Sequence, residues 1–214
     1  MTYRVKADKF FTEEERKLIQ GTTNDLEKRT IGEVVVMVVD SSDQYPEAGV
    51  IGAVFLGSLL SLIITVLFFH SSLWSFVPLS FLFSLPAVYL FKKFPVLKTA
   101  FIGPKRREIT VMQRAVRAFH EKGLYKTKKN TGVLFFLSLL EHKVWVLADK
   151  GIYEKIDQET LNRFAHTVSQ GIKEGRACEA LCGAMKEAGD LLAKHFPVTA
   201  GDIDELPDTL ITGD

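Results

Sequence analysis

Residues 48–91 read AGVIGAVFLGSLLSLIITVLFFHSSLWSFVPLSFLFSLPAVYLF, without one Asp, Glu, Lys or Arg. Ordinary charged sequence flanks this stretch on both sides. A helix rises about 1.5 Å per residue and the hydrocarbon of a bilayer is about 30 Å thick, so one crossing takes roughly 20 apolar residues. The stretch is therefore long enough to cross twice. Gly49 to Phe69 reads as a first span, His70-Ser71-Ser72 as a break, and Leu73 to Phe91 as a second span. With so short a turn the two helices must run antiparallel. The competing reading, a deeply buried helical pair in a soluble protein, needs core helices of unusual length.

Gly49, Ala53, Gly57 and Ser61 recur every four residues on the first span, and Ser80, Ser84 and Ala87 on the second. Small residues let helix backbones approach closely in lipid, where apolar burial gives no drive for association. A close-packed hairpin is expected. Pro78 and Pro86 predict kinks in the second span. Neither span carries an ionisable acid or base, so ion or proton transport by the hairpin has no carrier.

Charge is distributed unevenly. Residues 1–47 hold 7 basic and 10 acidic side chains, residues 92–130 hold 12 and 2, and residues 131–214 hold 8 and 14, within a total of +1. Lys92, Lys93, Lys98, Lys105, Arg106 and Arg107 follow the second span before any acid, and such a cluster stays cytoplasmic. The hairpin then returns residues 1–47 to the same side. The expectation is a multi-pass protein of the cell (inner) membrane with both termini cytoplasmic. Trp74 falls near the opposite interface, as in an aromatic belt. Met1 to Phe11 lacks the apolar run of a cleavable signal. The basic block makes membrane lipids the first partner, with Lys92, Lys93, Lys105, Arg106 and Arg107 facing them; no nucleic-acid role is expected.

The flanks read as halves of one α/β unit. Thr12-Glu13-Glu14-Glu15 is a capping box that opens an amphipathic helix to about Arg29. Val34 to Val39 is a β-branched run of the kind that forms a buried central strand, bounded by Asp40-Ser41-Ser42-Asp43. Beyond the apolar stretch, Ile109, Met112, Val116 and Phe119 recur at helical spacing and Gly123 stops that helix. Val133 to Leu140 and Lys143 to Asp149 read as two strands joined by a tight turn at Glu141-His142. Helices follow at about Gln158–Lys173 and Arg176–Phe196. Neither flank could bury its strand alone. The expected order is residues 1–47 as the first part of the domain, 48–91 as the membrane hairpin and 92–197 as the second part. Residues 198–214, with Asp202, Asp204, Glu205 and Asp208, are expected to be an acidic, flexible tail.

Val34 to Asp40, Thr131-Gly132-Val133-Leu134-Phe135-Phe136-Leu137-Ser138 and Lys143 to Ile152 together resemble the TPM-domain family. That family has a β-branched strand, an (N/T)-G-V-L strand, and a return strand ending in a glycine-containing loop. Glu174 to Leu181 is similar to its last helix. The resemblance extends over most of residues 10–196 outside the hairpin, and no single motif carries it without their order. It implies an α/β sandwich in which helices cover a small β-sheet, here with a two-helix transmembrane hairpin added. Functionally it implies an accessory or assembly module for other membrane proteins. Photosystem repair factors and receptor accessory proteins are among the roles of the family's members. It also implies a divalent-cation-dependent phosphatase as an alternative, and Ca²⁺ or another divalent ion as a ligand. Most relatives carry a signal peptide and a terminal anchor that place the domain outside the cytosol. An anchor inside the domain departs from that pattern.

Carboxylates at strand ends suit a hard cation. Asp149, in the Asp-Lys-Gly turn, is the candidate ligand that the resemblance favours, followed by Asp40; either would equally serve as a local turn cap. Cys178 and Cys182 are the only cysteines, four apart on one helical face. They read as small buried thiols rather than metal ligands. His120-Glu121 lacks the second histidine of a zinc-protease helix, and neither a glycine-rich phosphate loop nor a Gly-x-Ser-x-Gly elbow is present. Enzyme chemistry has no clear carrier. An anionic-lipid-binding module is the third expectation.

Overall fold

A computed structural model describes residues 6–69, 73–127, 129–198 and 210–213. The chain forms two compact units: residues up to Ser42 together with those from Glu108 onward, and residues 43–107.

In the first unit, α1 (Glu13–Glu27) starts at the capping box. Glu15 N–H donates to Thr12 Oγ1 (3.2 Å), and Thr12 N–H donates to the Glu15 carboxylate (2.8 Å). The strand β1 (Glu33–Val39) is buried at all seven positions. It pairs in parallel along its whole length with β2 (Gly132–Ser138), from Glu33 opposite Gly132 to Val39 opposite Ser138. β2 returns antiparallel into β3 (Lys143–Ala148) through a turn where His142 adopts φ 52°. The last strand, β4 (Ile211–Gly213), adds in parallel to the other side of β1, so the sheet order is β3-β2-β1-β4.

Both faces of the sheet are covered, as two apolar strand faces require. Val34, Val36, Val38, Val133, Phe135 and Leu137 face α1, α6 (Gln158–Lys173) and α7 (Ala177–His195), which supply Ile19, Leu26, Phe164, Leu181 and Met185. Val35, Met37, Val39, Leu134 and Phe136 face the helix α4 (Pro104–Glu121) through Val111, Ala115, Ala118 and Phe119. The free edge of β1 is satisfied in part by a side chain: Val34 N–H donates to Glu27 Oε1 (3.1 Å). Asp157 caps α6, accepting from Thr160 N–H at 2.7 Å, and that hydrogen bond holds its exposed carboxyl below the usual carboxylate range.

Two features depart from the sequence reading. Residues 198–214 are not free along their whole length, because Ile211–Gly213 form β4. Three residues give no detectable alternation; the pairing comes from the open edge of β1. Asp202, Asp204, Glu205 and Asp208 lie outside the described residues. A short helix, α5 (Lys150–Tyr153), also follows β3 where the sequence suggested only a loop.

The second unit holds α2 (Pro46–Phe68) and α3 (Leu73–Lys93), both long and apolar enough to cross a membrane. A core helix would be mostly buried, whereas 28% of the apolar window of α2 and 6% of that of α3 is buried. Trp74 is 91% exposed and Phe81 76%. The break at His70-Ser71-Ser72 lies outside the described residues. Ala48, Gly52, Ala53, Gly57, Ser61 and Thr65 form the buried face of α2, which packs on α3. A Cβ on Gly57 would sit 2.7–2.8 Å from Ser84 backbone atoms. Serines bond across the seam: Ser58 Oγ to Ser80 Oγ (2.9 Å), and Ser61 Oγ–H to the Phe76 carbonyl (2.8 Å). In lipid such bonds and close backbone contacts replace the missing hydrophobic drive. α3 runs through Pro78 and Pro86 as one helix.

Gly57→Leu should overpack this seam at a cost of roughly 1–3 kcal/mol. Its unfolding midpoint in an SDS titration should fall, while Val54→Leu on the exposed face of α2 leaves the midpoint unchanged. Equal midpoints for the two variants would mean that the helices do not pack through Gly57.

Candidate functional site

Asp40 and Asp149 lie at opposite ends of the sheet. Asp40 follows the last residue of β1, whereas Asp149 follows β3, which runs antiparallel and ends beside the start of β2. Seven residue steps of strand separate them, about 23 Å at roughly 3.3 Å per residue. No single ion can bridge them.

Each aspartate has a local task. Asp40 is 6% exposed, and its Oδ1 accepts from Ala7 N–H at 2.6 Å, tying the amino-terminal segment to the sheet. Its own N–H donates to the Gly213 carbonyl (3.2 Å), and its carbonyl accepts from Leu140 N–H (3.0 Å). Beside it stands Glu141, 3% exposed, which accepts from Ser42 N–H (2.9 Å) and Ser138 Oγ–H (2.5 Å); the Ser42 and Ser138 hydroxyls are 2.8 Å apart. The sequence marked Glu141 only as a turn residue. Its burial depends on Ser42, remote in the chain, and no local pattern announces it. The cleft at this end, lined by Lys6, Asp8, Asp40 and Thr212, holds about 180 Å³. Organic-ligand pockets usually hold 300–1,000 Å³.

At the other end Asp149 caps α5, with Oδ1 accepting from Lys150 N–H at 2.7 Å. Its Oδ2 is buried and has no hydrogen-bond partner among the described residues. The strand register sets Glu33, Gly132 and Asp149 in one row across three strands, and Asp149 N–H donates to the Gly132 carbonyl (2.9 Å). Gly132 sits in this row because Leu124 lies over it: a Cβ there would be 2.5 Å from the Leu124 carbonyl oxygen. Glu33, 7% exposed, is the acidic neighbour that sequence reasoning passed over.

Ca²⁺ takes six to eight oxygens at 2.3–2.6 Å. Among the described residues no three His, Cys, Asp or Glu side chains converge in a way that could hold a metal. Among the described residues neither strand end gathers three such side chains.

The basic cluster is divided rather than pooled. Arg106 pairs with Asp43 (2.9 Å) and Glu47 (3.3 Å) and lies over the buried Tyr45 ring at 5.8 Å. Arg107 donates to the carbonyls of Thr99 (3.3 Å) and Ile102 (3.2 Å), and Lys98 to the Gln44 carbonyl (2.6 Å). These three hold the base of the hairpin unit together. Lys92 and Lys93 fall in the last turn of α3, where cations favour the helix dipole. Lys105 is exposed.

Cys178 and Cys182 are both buried, and Cys178 Sγ donates to the Glu15 carbonyl at 3.8 Å. Burial, with Cys182 beside it, pushes the Cys178 thiol up to about 12. Such a thiol is scarcely ionised at neutral pH and is a poor nucleophile or metal ligand.

Residues 101–191 match the TPM domain family, a span that runs from the connector before α4 into α7. β1, which the sequence resemblance also included, falls outside the matched residues. Among solved structures, the NMR structure of the BA42 protein from the psychrophilic bacterium Bizionia argentinensis is similar. It is 23% identical, with 95% of this chain and 96% of that chain covered and a TM-score of 0.60. That likeness concerns the fold. No curated protein is significantly similar to the chain.

Millimolar Ca²⁺ should leave the unfolding temperature unchanged, because neither carboxylate end offers a shell. A rise in melting temperature that Asp149→Ala abolishes would instead assign an ion to the Glu33–Gly132–Asp149 row.

Proposed function

We propose that this chain, a carrier of the TPM domain, is an integral membrane protein whose domain works on the cytoplasmic face as an accessory module for other membrane proteins. The observation that carries this reading is the position of the hairpin. The apolar helices are inserted between β1 and β2, which lie side by side along seven residue pairs. Both flanks of the insertion therefore belong to one sheet and stand on one side of a bilayer.

The side follows from charge. Lys92, Lys93, Lys98 and Lys105 with Arg106 and Arg107 follow the second span, and such a cluster resists translocation. A cytoplasmic domain with both termini on that side agrees with this. Binding rather than catalysis agrees with the commitments of the carboxylates: Asp40 and Glu141 accept backbone amides of the remote residues Ala7 and Ser42, and Asp149 caps its own turn.

The protein should remain in the pellet after alkaline carbonate extraction. A cysteine at the exposed position 143 (Lys143→Cys, with Cys178 and Cys182 replaced by alanine) should react with an impermeant maleimide in inside-out vesicles and not in spheroplasts. Crosslinking through that position in cells should recover membrane proteins. Recovery of the protein in the carbonate supernatant would overturn the anchor. Labelling in spheroplasts would overturn the orientation, and crosslinking to soluble proteins alone would overturn the accessory role.

A further inference from the structure

α4 has two apolar faces. Val111, Ala115, Ala118 and Phe119 pack on the sheet. Ile109, Met112 and Val116, spaced three and four residues apart along the opposite side, are 38%, 37% and 41% exposed. The helices on the other face of the sheet behave differently: among their described residues α1, α6 and α7 together expose one large apolar side chain, Leu18. The second stripe of α4 is thus a local feature and not the ordinary scatter of surface hydrophobics.

We infer that this stripe is seated on the anionic surface of the bilayer that the hairpin crosses, an inference that rests on the membrane reading above. Three observations select a lipid surface as the occupant. The first is reach. Ten residues, 94–103, join the end of α3 to the start of α4, and the eleven steps at no more than roughly 3.6 Å each confine the start of α4 to within about 40 Å of the last residue of α3. The second is charge. The segment from Lys105 to Lys129 carries nine basic residues against Glu108 and Glu121. Glu121 is already paired with Arg114 at 3.1 Å. Arg106 and Arg107 are engaged within the hairpin unit, so the cations that remain beside the stripe are Lys105 and Arg117, both exposed. An apolar stripe flanked by basic side chains is the pattern of a helix lying in a headgroup layer. The third is the aromatic at its end. Tyr125, 45% exposed, follows α4 with Lys126 Nζ 5.6 Å from its ring centroid, and an amphipathic ring suits an interface.

The proposal separates two roles for the basic block. Arg106 and Arg107 hold the hairpin's base, and Lys105 and Arg117 meet lipid phosphates. Each cation near an anionic surface adds an attraction that salt screens.

The test uses the full chain in vesicles of phosphatidylglycerol and phosphatidylcholine, in a background with Cys178 and Cys182 replaced by alanine. A polarity-sensitive fluorophore is attached at Met112→Cys, with Phe81→Cys in the span and Asn162→Cys on α6 as references. The Met112 probe should be shielded from aqueous iodide and quenched by bromine-labelled lipid. Lys105→Glu with Arg117→Glu, or pure phosphatidylcholine, should reduce that quenching at least twofold without changing the Phe81 probe. A Met112 probe as open to iodide as the Asn162 probe, with Phe81 still in lipid, overturns the inference and leaves the anchor standing. Shielding from iodide without lipid quenching overturns it in favour of a protein partner or a second copy. A Phe81 probe exposed to iodide removes the membrane reading and this inference together.

Discussion

The structure depends on β1 being buried on both faces and bonded along the whole of one edge and part of the other. Seven consecutive apolar or shielded positions leave it no solvent-tolerant side. A strand of this kind is stable only inside a sheet, and its parallel partner β2 lies beyond the uncharged helices in sequence. Unpaired backbone amides in such a strand would cost on the order of 1–3 kcal/mol each. The chain must therefore return from its hairpin to the same place. The domain's unity and the packing of α4 on the sheet both follow from that return.

Much of the fold was legible because its signals are continuous. The run Val34 to Val39 and the run Val133 to Leu137 are strands by β-branching and apolarity alone, and Thr12 and Glu15 announce α1 by chemistry that acts over three residues. The small residues at Ala53, Gly57 and Ser61 marked the buried face of α2 for the same local reason. What escaped the sequence is what tertiary contact creates. β4 is three residues long and exists because β1 has an open edge. Glu141 looks like a turn residue until Ser42 and Ser138 close around it. Asp40 and Asp149 look alike as strand-end acids, and only the parallel pairing of β1 with β2 reveals that the β3 return leaves them at opposite ends. Arg106 and Arg107 looked like a lipid-facing pair; Arg106 instead pairs with Asp43 and Glu47, separated from it by the whole hairpin, and Arg107 with the nearby carbonyls of Thr99 and Ile102.

The same division explains why the fold is clearer than the chemistry. Core patterns repeat over many positions, so each is read several times. A site is a coincidence of a few side chains from distant segments, and the sequence gives no account of their meeting. Here the acids that could have met do not. They accept backbone amides that tie segments to the sheet ends, leaving the outer stripe of α4 and the hairpin as the features without a purely internal purpose.

The placement of the insertion has a physical reason. Parallel strands need a crossover of a dozen or more residues, and α4 supplies one between β1 and β2 independently of the apolar helices. Loop-closure entropy rises only with the logarithm of length, about 0.6 kcal/mol for each doubling. Even that increment is reduced when the insert closes on itself. Asp43 begins the hairpin unit and Arg106 stands at its end, and the two are 2.9 Å apart, with Glu47 on the same guanidinium and Tyr45 beneath it. To the sheet, the inserted helices resemble a loop whose ends are already joined. An exposed ion pair contributes little energy by itself, but several contacts on one planar guanidinium fix geometry, which a lysine at that position would not. Arg106 thus closes the ends of the apolar helical insertion on each other, so that it need not pull the two central strands apart.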